Sequence, residues 1–342
     1  MILEGLLDRK RRAFSGSHHR TASRARLISV VMAATAAAIA SPVPAQDYPS
    51  QTIKIISSVS AGGTLDIFAR AFADELQKRW GQPAIVDPRP GGNFTIAGRA
   101  CASAAPDGYT VCMVTGDILV YNEFLIPKLP YEPRKDFAPV TNFFFNTMAL
   151  VVNTLLGVKN LDELAALAKA KPKTMSYLAP RVPEQVFFDR FNEERGTDFV
   201  RVPFRGAGEA INMMLTGTVP AGFFGSSSFA PYVRQGTMVP LAVDGPSHLF
   251  PNTPTLQQLG YRGRSSRMWL GLVVPAGTPP QIVEKLYKVS KDMLDDPSFR
   301  QKHLLDRGME VIGNTPEEFA RYLEADRTAT YELIKDAGLE PK

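Results

Sequence analysis

Ile53-Lys54-Ile55-Ile56-Ser57-Ser58-Val59-Ser60-Ala61-Gly62-Gly63-Thr64-Leu65-Asp66 contains an apolar run that stops at a glycine pair, and an amphipathic pattern follows it. Phe68, Phe72, Leu76 and Trp80 recur every four residues, and Gly81 then supplies a stop signal, so the pattern predicts a helix. Such a strand–glycine–helix turn directs unpaired backbone N–H groups toward an anion above the strand end. The same turn is also common as a purely structural connection, so other evidence must decide.

The rest of the chain continues this alternation of strands and helices. Helix starts are indicated by Asn160 with Glu163, by Thr315 with Glu318, and by Thr278 before Pro279 as a first-turn residue. The alternation predicts α/β layers with largely parallel sheets. Short β-rich runs occupy residues 52–57, 110–114, 149–152, 175–178, 199–202, 221–224, 241–243 and 270–274.

The N-terminal segment has the pattern of a cleavable secretory signal. Residues 1–26 are basic and polar, residues 27–39 form an apolar stretch too short to span a bilayer, and Val43-Pro44-Ala45 offers small residues before a cut. We therefore expect a signal peptide at 1–45 and an exported, periplasmic protein. The leader carries the chain's whole formal charge of +5, and the remainder holds 32 basic and 32 acidic residues. A neutral balance indicates neither nucleic acid nor an anionic membrane as partner.

The two cysteines, Cys101 and Cys112, fall at a predicted helix end and in the strand that follows. In an oxidising compartment a local disulfide is expected as often as a pair of buried thiols, and the sequence leaves both open.

Catalytic signatures are scarce beyond the leader. Only His248 and His303 remain there, and no metal, nucleotide or serine-hydrolase motif occurs. Ser226-Ser227-Ser228 is typical of a hydroxyl-rich turn after a strand, and no histidine in a matching context accompanies it. We expect no enzyme, no cofactor and no metal.

A series of short motifs then carries a family resemblance from residue 48 to residue 342. On these motifs the chain resembles the solute-binding receptors of tripartite tricarboxylate transporters, also called Bug-type receptors. Besides the opening turn they are Arg89-Pro90-Gly91-Gly92-Asn93, Ala105-Pro106-Asp107-Gly108-Tyr109-Thr110, Lys128-Leu129-Pro130-Tyr131, Lys135-Asp136-Phe137-Ala138-Pro139-Val140, Leu161-Asp162-Glu163-Leu164, Val202-Pro203-Phe204-Arg205-Gly206, Pro254-Thr255-Leu256, Trp269-Leu270-Gly271-Leu272-Val273-Val274-Pro275-Ala276-Gly277-Thr278-Pro279 and Thr315-Pro316-Glu317-Glu318-Phe319.

The resemblance implies an α/β, two-lobed periplasmic-binding-protein-like fold of type II, in which each lobe is a mainly parallel sheet flanked by helices. Lobe 1 would comprise residues 46–146 and 265–342, and lobe 2 residues 147–264, with hinges at about 141–148 and 262–268. A monomeric receptor of this kind closes over a small organic carboxylate and docks on a membrane permease with one large and one small subunit.

The resemblance also implies which residues bind the ligand. Two loops of lobe 1 would grip a carboxylate, and loops of lobe 2 would complete the cleft. Trp269 is equally well explained as a core residue. The full set is Ala61, Gly62, Gly63, Thr64, Leu65, Asp66, Thr115, Gly116, Asp117, Pro180, Arg181, Arg205, Gly206, Phe224, Gly225 and Trp269.

The chain departs from the family pattern at three places that affect specificity. The opening loop usually reads Pro-Gly-Gly-Gly-Thr-Asp, but here Thr64 and Leu65 alter it. The loop after Tyr177 is shorter and contains Arg181, which either pairs with a distal carboxylate or, as we slightly favour, faces solvent in a proline-stiffened turn. Phe224 stands where many relatives have an aspartate. With Phe143, Phe144, Phe145, Phe187 and Phe188 it favours an aromatic or alkyl acid, although core packing explains most phenylalanines.

Two other functions stay open from the sequence. An exported binding protein could report its ligand to a sensor kinase instead of a permease. An exported hydrolase is the other, and it is disfavoured because no serine has a base.

Overall fold

Eleven strands form two sheets in the part of the chain that the structure, a computed structural model, describes: residues 48–59, 64–205, 207–261, 267–336 and 338. Sheet 1 has the order β11-β4-β10-β3-β1-β2, and sheet 2 has the order β7-β6-β8-β5-β9, in the numbering that follows. In chain order the strands are β1 (Ile53–Ser57), β2 (Ala84–Pro88), β3 (Thr110–Thr115), β4 (Phe137–Asn146), β5 (Met148–Asn153), β6 (Ser176–Leu178), β7 (Val200–Arg201), β8 (Ala221–Gly225), β9 (Met238–Val243), β10 (Met268–Pro275) and β11 (Met309–Val311).

Helices flank both sheets, so the predicted α/β class with two lobes is confirmed. A π-helical turn at Asp117–Tyr121 runs directly into the third helix. The helices of the described ranges are α1 (Thr64–Trp80), α2 (Thr95–Ala102), α3 (Asn122–Leu125), α4 (Leu161–Ala170), α5 (Val182–Arg195), α6 (Ala207–Leu215), α7 (Ser226–Arg234), α8 (Pro280–Asp295), α9 (Pro297–His303) and α10 (Pro316–Asp336).

The sheets are mixed, so the expectation of mainly parallel sheets was wrong. β1 is parallel to β2 and β3, and β6 is parallel to β7 and β8. In contrast, β10 is antiparallel to β3 and β4, and β5 is antiparallel to β8 and β9. Thr147 alone separates β4 from β5, so the chain passes between the sheets without a crossover helix. Each sheet therefore combines a parallel part with an antiparallel part.

Helix α1 confirms the prediction made from the opening stretch. Phe68, Phe72 and Leu76 are buried in the core of sheet 1, and Gly81 ends the helix with φ 72°. The ring of Phe68 meets those of Phe143 and Phe144 edge-on, with centroid separations of 5.0 and 4.9 Å. Each such pair adds about 0.5–1.5 kcal/mol beyond the area that it buries.

The predicted capping boxes are present in both lobes. Asn160 Oδ1 accepts from the Glu163 backbone N–H at 2.9 Å, and Glu163 Oε2 accepts from the Lys159 N–H at 2.7 Å. Before α10, Thr315 Oγ1 accepts from the Glu318 backbone N–H at 3.2 Å, and Glu318 Oε2 accepts from the Thr315 backbone N–H at 2.9 Å. Helix α8 begins at Pro280, one residue later than predicted from Thr278, because the Thr278 hydroxyl donates to the Pro275 carbonyl instead of capping the helix.

A disulfide joins Cys101, near the end of α2, to Cys112 in β3. Both cysteines are completely buried, with a Cα–Cα distance of 6.2 Å. Of the two alternatives that the sequence left open, the structure has the bonded one. The bond fixes α2 against the strand whose end carries Asp117.

The core of sheet 2 is rich in aromatic rings. The rings of Tyr177 and Phe188 stack with centroids 3.8 Å apart, and Phe187 meets Phe188 and Phe223 edge-on at 5.4 and 5.5 Å. Phe143 and Phe144 are likewise fully buried in sheet 1. Core packing therefore explains these phenylalanines, as the more conservative of the two interpretations expected.

Candidate ligand-binding site

The carboxyl ends of β1 and β3 lie side by side, because the two strands are parallel with Ser57 opposite Met113. Both predicted carboxylate loops therefore leave the same edge of sheet 1. Of the opening loop, Ala61, Gly62 and Gly63 lie outside the described residues. Thr64 begins α1 and Leu65 is buried in the sheet 1 core.

Asp66 lies in the first turn of α1 and is buried with 2% exposure. Its Oδ2 accepts from Arg70 Nε at 2.9 Å, one turn further along the helix. The Arg70 side chain is itself half exposed, so this pair holds the orientation of the carboxylate and adds little stability.

The second loop, Thr115-Gly116-Asp117, is a tightly packed strand-to-helix turn. Thr115 and Asp117 are both buried, and the Thr115 hydroxyl donates to Asp117 Oδ2 at 2.9 Å. No side chain caps the helical turn that starts here, so its first N–H groups have no partner from a cap. π-helical turns of this kind are frequent at functional sites.

Trp269 in β10 supports this loop from within lobe 1. A Cβ on Gly116 would lie 3.2 Å from Trp269 Nε1, so the glycine permits the close approach of the ring. The indole N–H donates to Asp326 Oδ2 of α10 at 2.9 Å, and the ring is 1% exposed. Of its two interpretations, the structure places Trp269 in the core.

The position of Arg181 contradicts our expectation that its side chain faces solvent. It follows β6 directly and is buried, with a side-chain exposure of 3%. Its Nε lies 3.3 Å from Asp117 Oδ2 of the other lobe, and Nη1 lies 3.5 Å from Glu184 Oε1. The guanidinium also lies 5.6 Å from the centre of the Tyr121 ring. Pro180 precedes the arginine and Pro183 lies in the first turn of α5, and two carboxylates compensate the lost hydration of the guanidinium.

Burial around Arg181 changes the titration of the neighbouring acids. Loss of solvent raises the pKa of Glu184 to about 7, although Arg181 opposes the shift; the Asp117 charge adds to it. Burial also raises the pKa of Asp244, which follows β9 directly. Burial raises the pKa of Asp326 as well, and the hydrogen bond from Trp269 partly opposes that rise. Asp244 Oδ1 accepts from the Met148 N–H at 2.9 Å and so anchors the start of β5.

The end of β8 brings Gly225 against the passage between the sheets. A Cβ on Gly225 would lie 2.6 Å from Asn146 Nδ2, and the Ser226 N–H donates to the Thr147 carbonyl at 2.8 Å. Ser226 begins α7, so the expected hydroxyl-rich turn is in fact the first turn of a helix. Its hydroxyl is completely buried, and Ser226 Oγ has no hydrogen-bond partner within the described ranges.

The remaining predicted residues are not brought to this cluster. Phe224 is buried against Phe204 and Phe229, with centroids 5.3 and 5.6 Å away, so its ring packs within lobe 2. Arg205 is exposed, and its backbone N–H donates to Glu209 Oε2 at 2.6 Å. Gly206 lies outside the described residues.

Five residues of this region were missed by the sequence-based set. They share one signal in the sequence. Each is a polar or aromatic residue that lies at the end of a strand, directly after a strand, or in the helical segment that follows it. That signal is weak without knowledge of which strands face each other. The five residues are Tyr121, Asn146, Glu184, Ser226 and Asp244.

The fold and the meeting of two lobes at their strand ends define a periplasmic binding protein. Residues 68–339 match the family described as "Tripartite tricarboxylate transporter family receptor", and the chain belongs to that family. It is 32% identical over 317 residues to a UPF0065 protein of Cupriavidus necator, covering 90% of this chain and 95% of the relative. It is 28% identical over 324 residues to the protein BugT of Bordetella pertussis, covering 93% and 99%.

Solved structures support the same class. A periplasmic transporter structure superposes with a TM-score of 0.78 at 31% identity, covering 86% of this chain and 99% of the other. The Rhodopseudomonas palustris protein Rpa4515, solved with adipate, gives 0.79 at 27% identity, with 86% and 100% covered. MatC of the same organism, solved with malate, gives 0.75 at 26%, with 84% and 100% covered. The family and these neighbours are periplasmic solute-binding proteins rather than enzymes.

Proposed function

We propose that this receptor captures a small organic carboxylate between its lobes and delivers it to a tripartite tricarboxylate-type secondary transporter. The observation that carries the proposal is the contact of Asp117 in lobe 1 with Arg181 in lobe 2, at the carboxyl ends of two strands. Ligands of α/β proteins bind at such strand ends. The adipate and malate bound by two structural neighbours support a carboxylate as the ligand class.

In the proposed site, lobe 1 supplies the carboxylate grip. The N–H groups at the start of the Asp117–Tyr121 turn, together with the loop at 61–66, would receive one carboxylate of the ligand. Ser226 Oγ, and also Ser58 Oγ just beyond β1, are buried polar atoms without a hydrogen-bond partner in the part of the chain described here. Buried polar atoms are nearly always paired, so both are suited to contact a bound solute or its water.

Closure would occur by hinge motion at the passage of β4 into β5, within residues 141–148, and at residues 262–268, most of which lie outside the described ranges. These hinges separate lobe 1, 46–146 with 265–342, from lobe 2, 147–264. Removal of the signal peptide at 1–45 would leave the mature receptor in the periplasm. Its proposed partner is a permease with one large and one small membrane subunit.

A thermal-shift screen of residues 46–342 tests the proposal. The panel comprises aliphatic mono-, di- and tricarboxylates, aromatic acids and acidic amino acids, with the matching amides as controls. A ligand at about a hundred times its dissociation constant stabilises the fold by roughly 2.7 kcal/mol, a shift that is easily measured. Stabilisation by one class of acid and not by its amides is the expected result. A flat screen on protein freed of copurified solute contradicts the proposal.

A further inference from the structure

The surroundings of Arg181 determine what charge the ligand can carry beyond its first carboxylate. Resting on the proposed function, the geometry points to Arg181, Asp117 and Glu184 as a specificity device that selects monocarboxylates and rejects dicarboxylates. An arginine facing a cleft would ordinarily attract a second carboxylate. Here both acids already occupy it.

The guanidinium is enclosed on several sides. Asp117 contacts it from lobe 1 at 3.3 Å, Glu184 contacts it from the first turn of α5 at 3.5 Å, and the Tyr121 ring lies 5.6 Å away. All three charged side chains are at most 4% exposed. These two pairs use Nε and Nη1 of the guanidinium, so a ligand carboxylate that approached Arg181 would meet the charges of Asp117 and Glu184 beside it. Displacing either acid would leave it buried opposite the incoming charge.

The wider environment is also acidic. Asp326 of α10 and Asp244 beyond β9 act on the same arginine, and Tyr322 of α10 lies near Asp326. Two further cations lie in the described part of this environment. Arg267, just before β10, pairs its Nη2 with Glu310 at 2.5 Å, and its guanidinium lies 4.5 Å from the Phe145 ring centre. Arg327 of α10 donates to the Leu119 carbonyl at 3.2 Å and pairs with Glu123 and Glu324. Each of these cations is therefore matched by an acid.

The titration state of Glu184 does not change this outcome. Burial brings the pKa of Glu184 to about 7, so both states are populated near neutral pH. With Glu184 protonated, Asp117 and Arg181 form a neutral pair. With Glu184 ionised, the three groups sum to one negative charge. In neither state is there positive charge left for a second carboxylate, so the tail of the ligand is uncharged.

Calorimetric titration of residues 46–342 with acids of matched chain length tests the inference. The pairs are hexanoate with adipate, and butyrate with succinate. For at least one pair we expect the monocarboxylate to bind about tenfold tighter or more than its dicarboxylate. At pH about 8.5, where Glu184 is ionised, Glu184→Gln changes the three groups from one negative charge to a neutral pair, so the ratio should move toward the dicarboxylate by about tenfold without reversing. The control Glu193→Gln makes the same change at an exposed site of α5 and should leave the ratio unchanged.

The outcomes separate this inference from the function on which it rests. If, in both pairs, the wild-type receptor binds the dicarboxylate as tightly as, or more tightly than, the matching monocarboxylate, the selection is overturned, while the carboxylate receptor stands. Equal ratios in wild type and a folded Glu184→Gln variant overturn the role of the acids. If no acid of the thermal-shift panel binds, the proposed function fails, and the inference with it.

Discussion

Asp117 and Arg181 occupy corresponding places in the two lobes, since each lies just beyond the carboxyl end of a buried strand. Asp117 is held within its own lobe by Thr115 and by a turn that packs on Trp269 and Tyr121. Arg181 is instead held by two carboxylates, one of which belongs to the other lobe. The Asp117 turn is thus held by contacts of its own sheet, whereas the Arg181 charge is compensated partly by an acid beside sheet 1 and partly by Glu184 of its own helix.

The largest expected effect comes from removing the arginine. Arg181→Ala leaves Asp117 and Glu184 buried without their cation, and such a loss typically costs about 3–5 kcal/mol. Urea unfolding of residues 46–342 measures it. Arg205→Ala, at an exposed arginine of the same lobe, should stay within about 0.5 kcal/mol of wild type.

A combined variant distinguishes the effect of unpaired charge from the effect of lost packing. Arg181→Met with Asp117→Asn and Glu184→Gln removes all three charges together, and replacing buried ions by neutral groups is often tolerated. We expect most of the lost stability to return. If the combined variant is as unstable as Arg181→Ala, the loss arises from packing and not from unpaired charge.

The disulfide tests the contacts within lobe 1. The double variant Cys101→Ser, Cys112→Ser removes a crosslink between two cysteines that are 11 residues apart in the sequence. The loss of this crosslink should lower the free energy of unfolding by about 3 kcal/mol, because the unfolded chain gains conformational entropy. Urea unfolding under oxidising conditions measures the difference, and wild type under a reductant should match the variant. Equal stability in all three samples would show that the bond contributes nothing to the fold.

The pH dependence of stability reports on Glu184. Its pKa rises from an ordinary 4.5 to about 7 on folding, so the folded state binds more protons between these values. The free energy of unfolding should therefore fall as pH rises from about 4.5 through 7, by an amount on the order of 2–3 kcal/mol. Asp244, whose pKa burial also raises to about 7, contributes a fall over an overlapping range, so Glu184→Gln should remove only the Glu184 part of the slope and Glu193→Gln should remove none. A curve that rises over the same range in wild type, or is unchanged in Glu184→Gln, contradicts the assignment.

The smallest expected effects are those of the two capping boxes, one in each lobe. Asn160→Ala removes the bond to the Glu163 N–H in lobe 2, and Thr315→Ala removes the bond to the Glu318 N–H in lobe 1. Each loss should cost about 1 kcal/mol, because capping serves the helix locally in both lobes. Thermal unfolding measures both, and a clearly unequal pair would show that one helix start is held by other contacts.

The sequence was sufficient where local pattern decides structure. The spacing of Phe68, Phe72 and Leu76 predicted α1, and the polar pairs at Asn160 and Thr315 predicted helix starts, because these signals act within one element. β4 was missed, since buried polar residues such as Thr141 and Asn142 interrupt its apolar run. The sheet directions were also missed, because the antiparallel pairs of β10 with β3 and β4, and of β5 with β8 and β9, join segments far apart in the sequence.

The candidate site was predictable only in part for the same reason. Thr115 and Asp117 could be placed beside the opening loop, because both follow neighbouring strands of one sheet. The burial of Arg181 depends on Asp117, which lies 64 residues earlier in the chain and in the other lobe. No local pattern encodes that contact, so the arginine was assigned to the surface. Glu184 and Asp244 were missed because their importance arises from the same long-range contact.

A crystal structure of residues 46–342 with the acid that gives the largest thermal shift will show whether a carboxylate binds where the two strand ends meet. We expect the ligand carboxylate within hydrogen-bond distance of backbone N–H groups at Gly116–Ile118, with Arg181 still paired to Asp117 and Glu184. A ligand bound away from this turn, or a carboxylate that has displaced Asp117 from Arg181, would contradict it.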